Sequence, residues 1–185
     1  MKNIRDNYEL IDYAVIKKNI INSDYHKLIS EYISDIQTYS KRIRLLVENM
    51  NDSLLNIPFD KSVVTLGQFI HTCADYVINK YVQLKLIVTE TEPVVRSYQK
   101  DRWALLPDNK IIPVDVALNL IENIHRKLII ILKNLKQEEL NRKYFDPVLN
   151  KTLTLKGFLE HFSNKCNQHI IKITQIKVLL DNQKL

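Results

Sequence analysis

Cys166 and His169 stand three residues apart in a stretch with helical hydrophobic spacing, an interval that brings two side chains to one face of a helix. A thiolate and an imidazole so placed are two donors for a zinc- or nickel-like ion, and His71 on another helical stretch is a candidate third. Cys166 could instead react as a lone nucleophile if a cation lowered its pKa; the competing role is a small buried hydrophobe. His125 flanks an aliphatic seam, where a histidine is usually a hydrogen-bonded structural residue. His26 is expected to be exposed.

Four long helices would have to position these groups. Residues 1–22 show no clean period and are expected to form an arm over the bundle. Ser23 is expected to cap a first helix running to about Asn51, with Ile29, Ile33, Ile36, Ile43, Leu46, Val47 and Met50 along one face. Thr65 with Gln68 makes a capping-box start for a second helix reaching about Glu90, which Pro93 prevents from continuing. Ser97–Leu106 reads as one or two helical turns pinned by Tyr98 and Trp103 and ended by Pro107; the two aromatics are alternatively a lid over a pocket. Pro113 and Asp115 suit the first turn of a third helix, whose seam runs through Ala117, Ile121, Ile124, Leu128, Ile131 and Leu135. A short helix over Gln137–Arg142 follows. Thr154 then caps a last helix to about Asn182, with Leu155, Phe158, Leu159, Phe162, Cys166, Ile170, Ile173 and Ile176 as its buried stripe.

No strand pattern is apparent, and only two glycines and five prolines interrupt 185 residues. The fold class is therefore all-α: one domain over 1–185, an up-and-down type four-helix bundle with a short extra helix in the connection between helices 2 and 3. Hydrophobic residues at 45% and charged residues at 26% exclude disorder. The net charge of +6 raises weak nucleic-acid association as an alternative. Against it, the 27 basic residues are mixed with 21 acidic ones, in no block of five and in no recognition motif, so no specific nucleic-acid partner is expected. Two cysteines without CxxC spacing, no apolar leader over Met1–Tyr13 and no aliphatic run longer than Ile129–Leu132 give a cytoplasmic protein with no membrane partner.

Val64-Thr65-Leu66-Gly67-Gln68-Phe69-Ile70-His71-Thr72-Cys73-Ala74-Asp75 resembles the second-helix motif Trp-Thr-x-x-Gln-x-x-His-His-x-Ala-Asp of the YfiT-like branch of the DinB superfamily. The match continues through Thr89, Glu90, Pro93, Arg96, Tyr98 and Trp103, through His125, through Asp146-Pro147, and into His169-Ile170 on the last helix. That resemblance implies a homodimer and a pocket at one end of the bundle. It also implies the chemistry of metal-dependent hydrolases and bacillithiol S-transferases, in which three histidines bind nickel or zinc. The three ligand positions fall on Thr72, Phe162 and Cys166. Phenyl cannot coordinate, threonine is a poor ligand and one thiolate does not hold the ion. His71, one residue from Thr72, is turned about 100° around the helix.

The resulting expectation is a divergent relative without the three-histidine site and without a metal cofactor. It would bind a small-molecule ligand or regulate, with Thr72, Phe162 and Cys166 at the pocket and His71, Asp75, His125 and His169 as further lining. The first alternative is a metal-dependent thiol transferase or hydrolase with a rearranged site of Cys166, His169 and His71.

Overall fold

The protein was analysed as a computed structural model that describes residues 4–58 and 64–182, with side chains described from residue 24 onward. Among these residues four long helices carry the fold: α1 (Ile4–Val47), α3 (Leu66–Thr89), α6 (Val114–Asn134) and α7 (Leu155–Asn182). The helix start expected at Ser23 is not observed, because α1 runs straight through it. Residues 4–22 of the expected arm are thus the first turns of α1, and residues 1–3 lie outside the described part. No glycine or proline occurs between Met1 and Val47, so neither helix breaker interrupts propagation through Ser23.

The other boundaries follow local chemistry. Thr65 accepts from the Gln68 amide and its own amide donates to Gln68 Oε1, which satisfies two orphan donors at the start of α3. The α7 start is capped by Thr154, whose hydroxyl accepts from Gly157. Between α3 and α6 there are two short helices rather than one, α4 (Lys100–Trp103) and α5 (Asp108–Ile111). The first stops at Trp103 with Ala104 as its C-cap, and Pro107 occupies the N-cap of the second, where its missing amide hydrogen is not needed. α2 (Asp52–Leu55) follows an Asn51 cap, and Gln137–Asn141 forms the short helix expected there, of 3-10 type.

One element departs from the all-helical reading. Lys143–Asp146 (β1) pairs antiparallel with Lys151–Thr154 (β2), and Asn150 takes the left-handed conformation in the turn, with φ of 51°. Asp146 accepts from the Val148 and Leu149 amides and closes that turn. Pro93 and Val95 hydrogen-bond to Phe145, so the connection after α3 lies against the hairpin. With four residues per strand, the period-2 pattern is too short to stand out.

Around the bundle the order is α1, α6, α3, α7: α1 packs on α6 and α7, and α3 packs on the same two. Successive long helices α1 and α3 therefore face each other diagonally, which the long connections permit. The α7 stripe is buried as expected, from Leu155 through Phe158, Phe162 and Cys166 to Ile176. On the α6 seam Ala117, Ile121, Leu128 and Leu135 are buried, whereas Ile124 and Ile131 pack at its edge. No helix of the described residues is long and apolar enough to cross a membrane.

Arg142 fastens the end of α3. Its guanidinium donates to the Ile87 carbonyl at 2.7 Å and the Glu90 carbonyl at 2.9 Å, which places a cation on acceptors left unpaired at the helix C-terminus. Arg142→Met is expected to lower stability by about 1–3 kcal/mol, read from the urea midpoint. An unchanged midpoint would show that water replaces the guanidinium without loss.

Candidate functional site

Side chains from all four long helices meet at the bundle centre. Tyr39 of α1, 1% exposed, shares a 2.8 Å hydrogen bond between its hydroxyl and His169 Nδ1. Its ring lies 5.6 Å from that of His125 on α6, and Cys73 of α3 is close enough to act on its hydroxyl electrostatically. Phe162 packs between Tyr76 and His125, at ring separations of 5.9 and 6.1 Å. Tyr76 in turn meets the edge of His169 at 5.2 Å.

Beside this cluster a cavity of about 430 Å³ opens between α3 and α7. Phe69, Thr72, Cys73 and Tyr76 form the α3 wall, and Lys165, Gln168, His169 and Lys172 lie on the α7 side. Tyr98 and Lys100 close one edge from the connection. Three lysines and no carboxylate among the lining residues make the mouth electropositive. Trp103 stacks on Tyr98 at 4.7 Å rather than entering the cavity, so of the two aromatics only Tyr98 is a wall.

The residues singled out from sequence separate into three groups. Thr72 and His169 do line the cavity, and Phe162 and Cys166 lie buried behind it at 1% and 2% exposure. His71 faces elsewhere: its Nε2 donates to the Ile112 carbonyl at 2.9 Å, beside a separate small cavity next to α5. Asp75 accepts from Asn109 Nδ2 at 3.0 Å and anchors the connection, while His125 is on the far side of Tyr39 and Phe162. The rearranged trio of Cys166, His169 and His71 is not brought together. Among the described residues no three His, Cys, Asp or Glu side chains converge as an ion would require.

The donor set at the three resemblance-derived positions does not fit a metal. The Thr72 hydroxyl donates to the Gln68 carbonyl of its own helix at 2.8 Å, and Phe162 offers only carbon. Burial pushes the Cys73 thiol up to about 12 and raises Cys166 further, so neither supplies much thiolate near neutral pH. Burial also lowers His169 and His125 to about 4 each, keeping both rings neutral. Neutral His169 is a hydrogen-bonding group, and its Nδ1 is engaged with the Tyr39 hydroxyl.

Sequence reasoning missed Tyr39 and the cavity lysines. Tyr39 is separated by 130 residues from its histidine partner, and no local signal links them. Lys165 and Lys172 are seven apart on α7, which as a two-turn spacing was legible but unremarkable in a chain with 27 basic residues.

No protein-family model matches the chain. A Bacillus cereus (strain 03BB102) protein named "Putative metal-dependent hydrolase" is 29% identical over 155 residues, covering 84% of this chain and 88% of its own. A Bacillus anthracis (strain A0248) protein of the same name matches at the same identity and coverage. Among solved structures, the chain superposes on YfiT from Bacillus subtilis with a TM-score of 0.76 at 27% identity, covering 80% of this chain and 85% of that one. That structure is described as a probable metal-dependent hydrolase with an unusual four-helix bundle topology.

Two outcomes are expected from this geometry. Alkylation of the folded protein by iodoacetamide near neutral pH should leave Cys73 and Cys166 unmodified, and urea should expose both; rapid labelling of Cys166 in the folded state would establish a reactive thiol. His125 has a folded pKa of about 4 against 6.5 for a free histidine, so the unfolded chain binds the proton more tightly. Its contribution is complete above the free value and is lost as pH falls towards 4, by roughly 3 kcal/mol at most. His125→Leu should remove that part of the acid sensitivity and leave neutral-pH stability equal or higher. Identical acid profiles for the two proteins would contradict it.

Proposed function

We propose that this chain, a YfiT/DinB-like four-helix bundle by its likeness to YfiT and to the Bacillus relatives, is a metal-free relative which binds a small anionic ligand beside Thr72, Phe162 and Cys166. The observation that carries this reading is the 430 Å³ cavity at Thr72 and His169, backed by Phe162 and rimmed by Lys100, Lys165 and Lys172. Its volume suits a small molecule. Phe69, Tyr76 and Tyr98 offer apolar and aromatic surface, His169 offers a neutral ring nitrogen, and the lysines favour negative charge. Binding or regulation, rather than the hydrolysis named for the relatives, is the reading that the side chains at Thr72, Phe162 and Cys166 support.

A second reading is favoured by the relatives' shared name: metal-dependent hydrolysis with the ion held by another donor set. Metal analysis separates the two. Protein purified without a histidine tag, incubated with nickel or zinc and desalted, is expected to retain far less than one ion per chain. The triple variant Thr72→His, Phe162→His, Cys166→His is expected to retain about one, which would show that the three positions still converge. Stoichiometric metal in the natural protein would overturn the proposal. For the ligand, 8-anilinonaphthalene-1-sulfonate should bind saturably, and Lys165→Glu should weaken it by roughly tenfold. Equal affinity in that variant would remove the charged mouth from the reading.

A further inference from the structure

A second cavity, of about 410 Å³, lies between α1 and α6 on the other side of Tyr39. Its walls are built from Ile36, Ser40 and Lys41 of α1 and from His125, Arg126 and Ile129 of α6. It shares no lining residue with the cavity between α3 and α7. Tyr39 and Phe162 stand in the partition, each within ring contact of His125.

His125 is the unusual member. It is 2% exposed, and among the described residues neither ring nitrogen has a hydrogen-bond partner, a state shared only by the single hydroxyls of buried Tyr32 and Tyr76; the Ile36 carbonyl is nearby but outside bonding geometry. Buried polar atoms are nearly always paired, so an imidazole left with both nitrogens open at the floor of a cavity points to a partner that is not protein. A neutral ring offers one donor and one acceptor. Ser40, 3% exposed, adds a hydroxyl at the same depth.

The rim sets the charge. Arg126 is paired with Glu122 at 2.7 Å, whereas exposed Lys41 makes no ion pair among the described residues. Of the charged residues lining this cavity, Arg126 and Glu122 offset each other and Lys41 leaves it one positive charge. Ile36 and Ile129 supply apolar surface alongside.

We infer that the groove between α1 and α6 is a second small-molecule site, which takes a monocarboxylate with a short apolar body. The carboxylate accepts from the His125 ring and lies beneath Lys41, and the apolar body rests on Ile36 and Ile129. This site is independent of the proposed ligand cavity between α3 and α7.

The test is an NMR titration of the full chain labelled at histidine, with benzoate as probe and benzamide as its uncharged counterpart. Benzoate should shift the His125 ring signals saturably and leave those of His169 in place; benzamide should bind roughly tenfold more weakly. Lys41→Glu, an exposed change that leaves the core untouched, should weaken benzoate by a similar factor, and His125→Leu should abolish it. Lys165→Glu should have no effect on benzoate, which separates failure here from failure of the first cavity. Absent shifts at His125, equal binding of benzamide, or unaltered benzoate affinity in Lys41→Glu would overturn the inference and leave His125 as a structural residue hydrated by a buried water.

Discussion

The hydrogen bond between the Tyr39 hydroxyl and His169 Nδ1 is the contact on which the centre of this bundle depends. An unpaired hydroxyl at 1% exposure would cost about 1–3 kcal/mol, a penalty that the bond to His169 removes. Pairing it with α7 fixes the distance between the first and last long helices at the level where α3 and α6 also contribute side chains. Cys73 and His125 then pack against the same tyrosine from the two remaining sides. One residue thereby sets the registration of four helices that follow a diagonal rather than sequential order.

The same bond determines what each cavity can offer. By occupying His169 Nδ1 it directs the other ring nitrogen to the outside, where the ring borders the α3–α7 cavity. By filling the middle of the bundle, Tyr39 and Phe162 divide the interior in two. The α3–α7 side has lysines at the mouth, and the α1–α6 side has a histidine with unspent hydrogen-bonding capacity. Burial keeps both imidazoles neutral, so each acts through hydrogen bonds and the charge comes from lysines at the rims.

Much of this was legible in the chain because long helices repeat their instructions. The α7 stripe from Leu155 to Ile176, the Thr65–Gln68 capping box and the Thr154 cap each involve residues within a few positions of one another, where periodicity and local hydrogen bonding are readable. The α1 start was misplaced because serine suits a cap, yet nothing before it forces a break. The hairpin escaped because Tyr144 is its only buried strand residue among eight. The direction of His71 is decided by the Ile112 carbonyl 41 residues away, and the clamp of Arg142 on α3 spans 55. Contacts of that separation leave no local trace, so the packing partners of these side chains were not readable from the chain.

The side chains at positions 72, 162 and 166 each have contacts within the protein. Thr72 spends its hydroxyl on the preceding turn, Cys166 is buried as a neutral thiol, and Phe162 fills the space between Tyr76 and His125 with carbon. A histidine at position 162 would add two polar nitrogens beside a ring that already has none of its own satisfied. Unless an ion or a proton acceptor arrived with it, that exchange would replace favourable apolar packing with a further desolvation penalty. The phenyl ring at 162 packs on His125 and offers it no hydrogen-bond partner, so the capacity of that imidazole stays open towards the α1–α6 side.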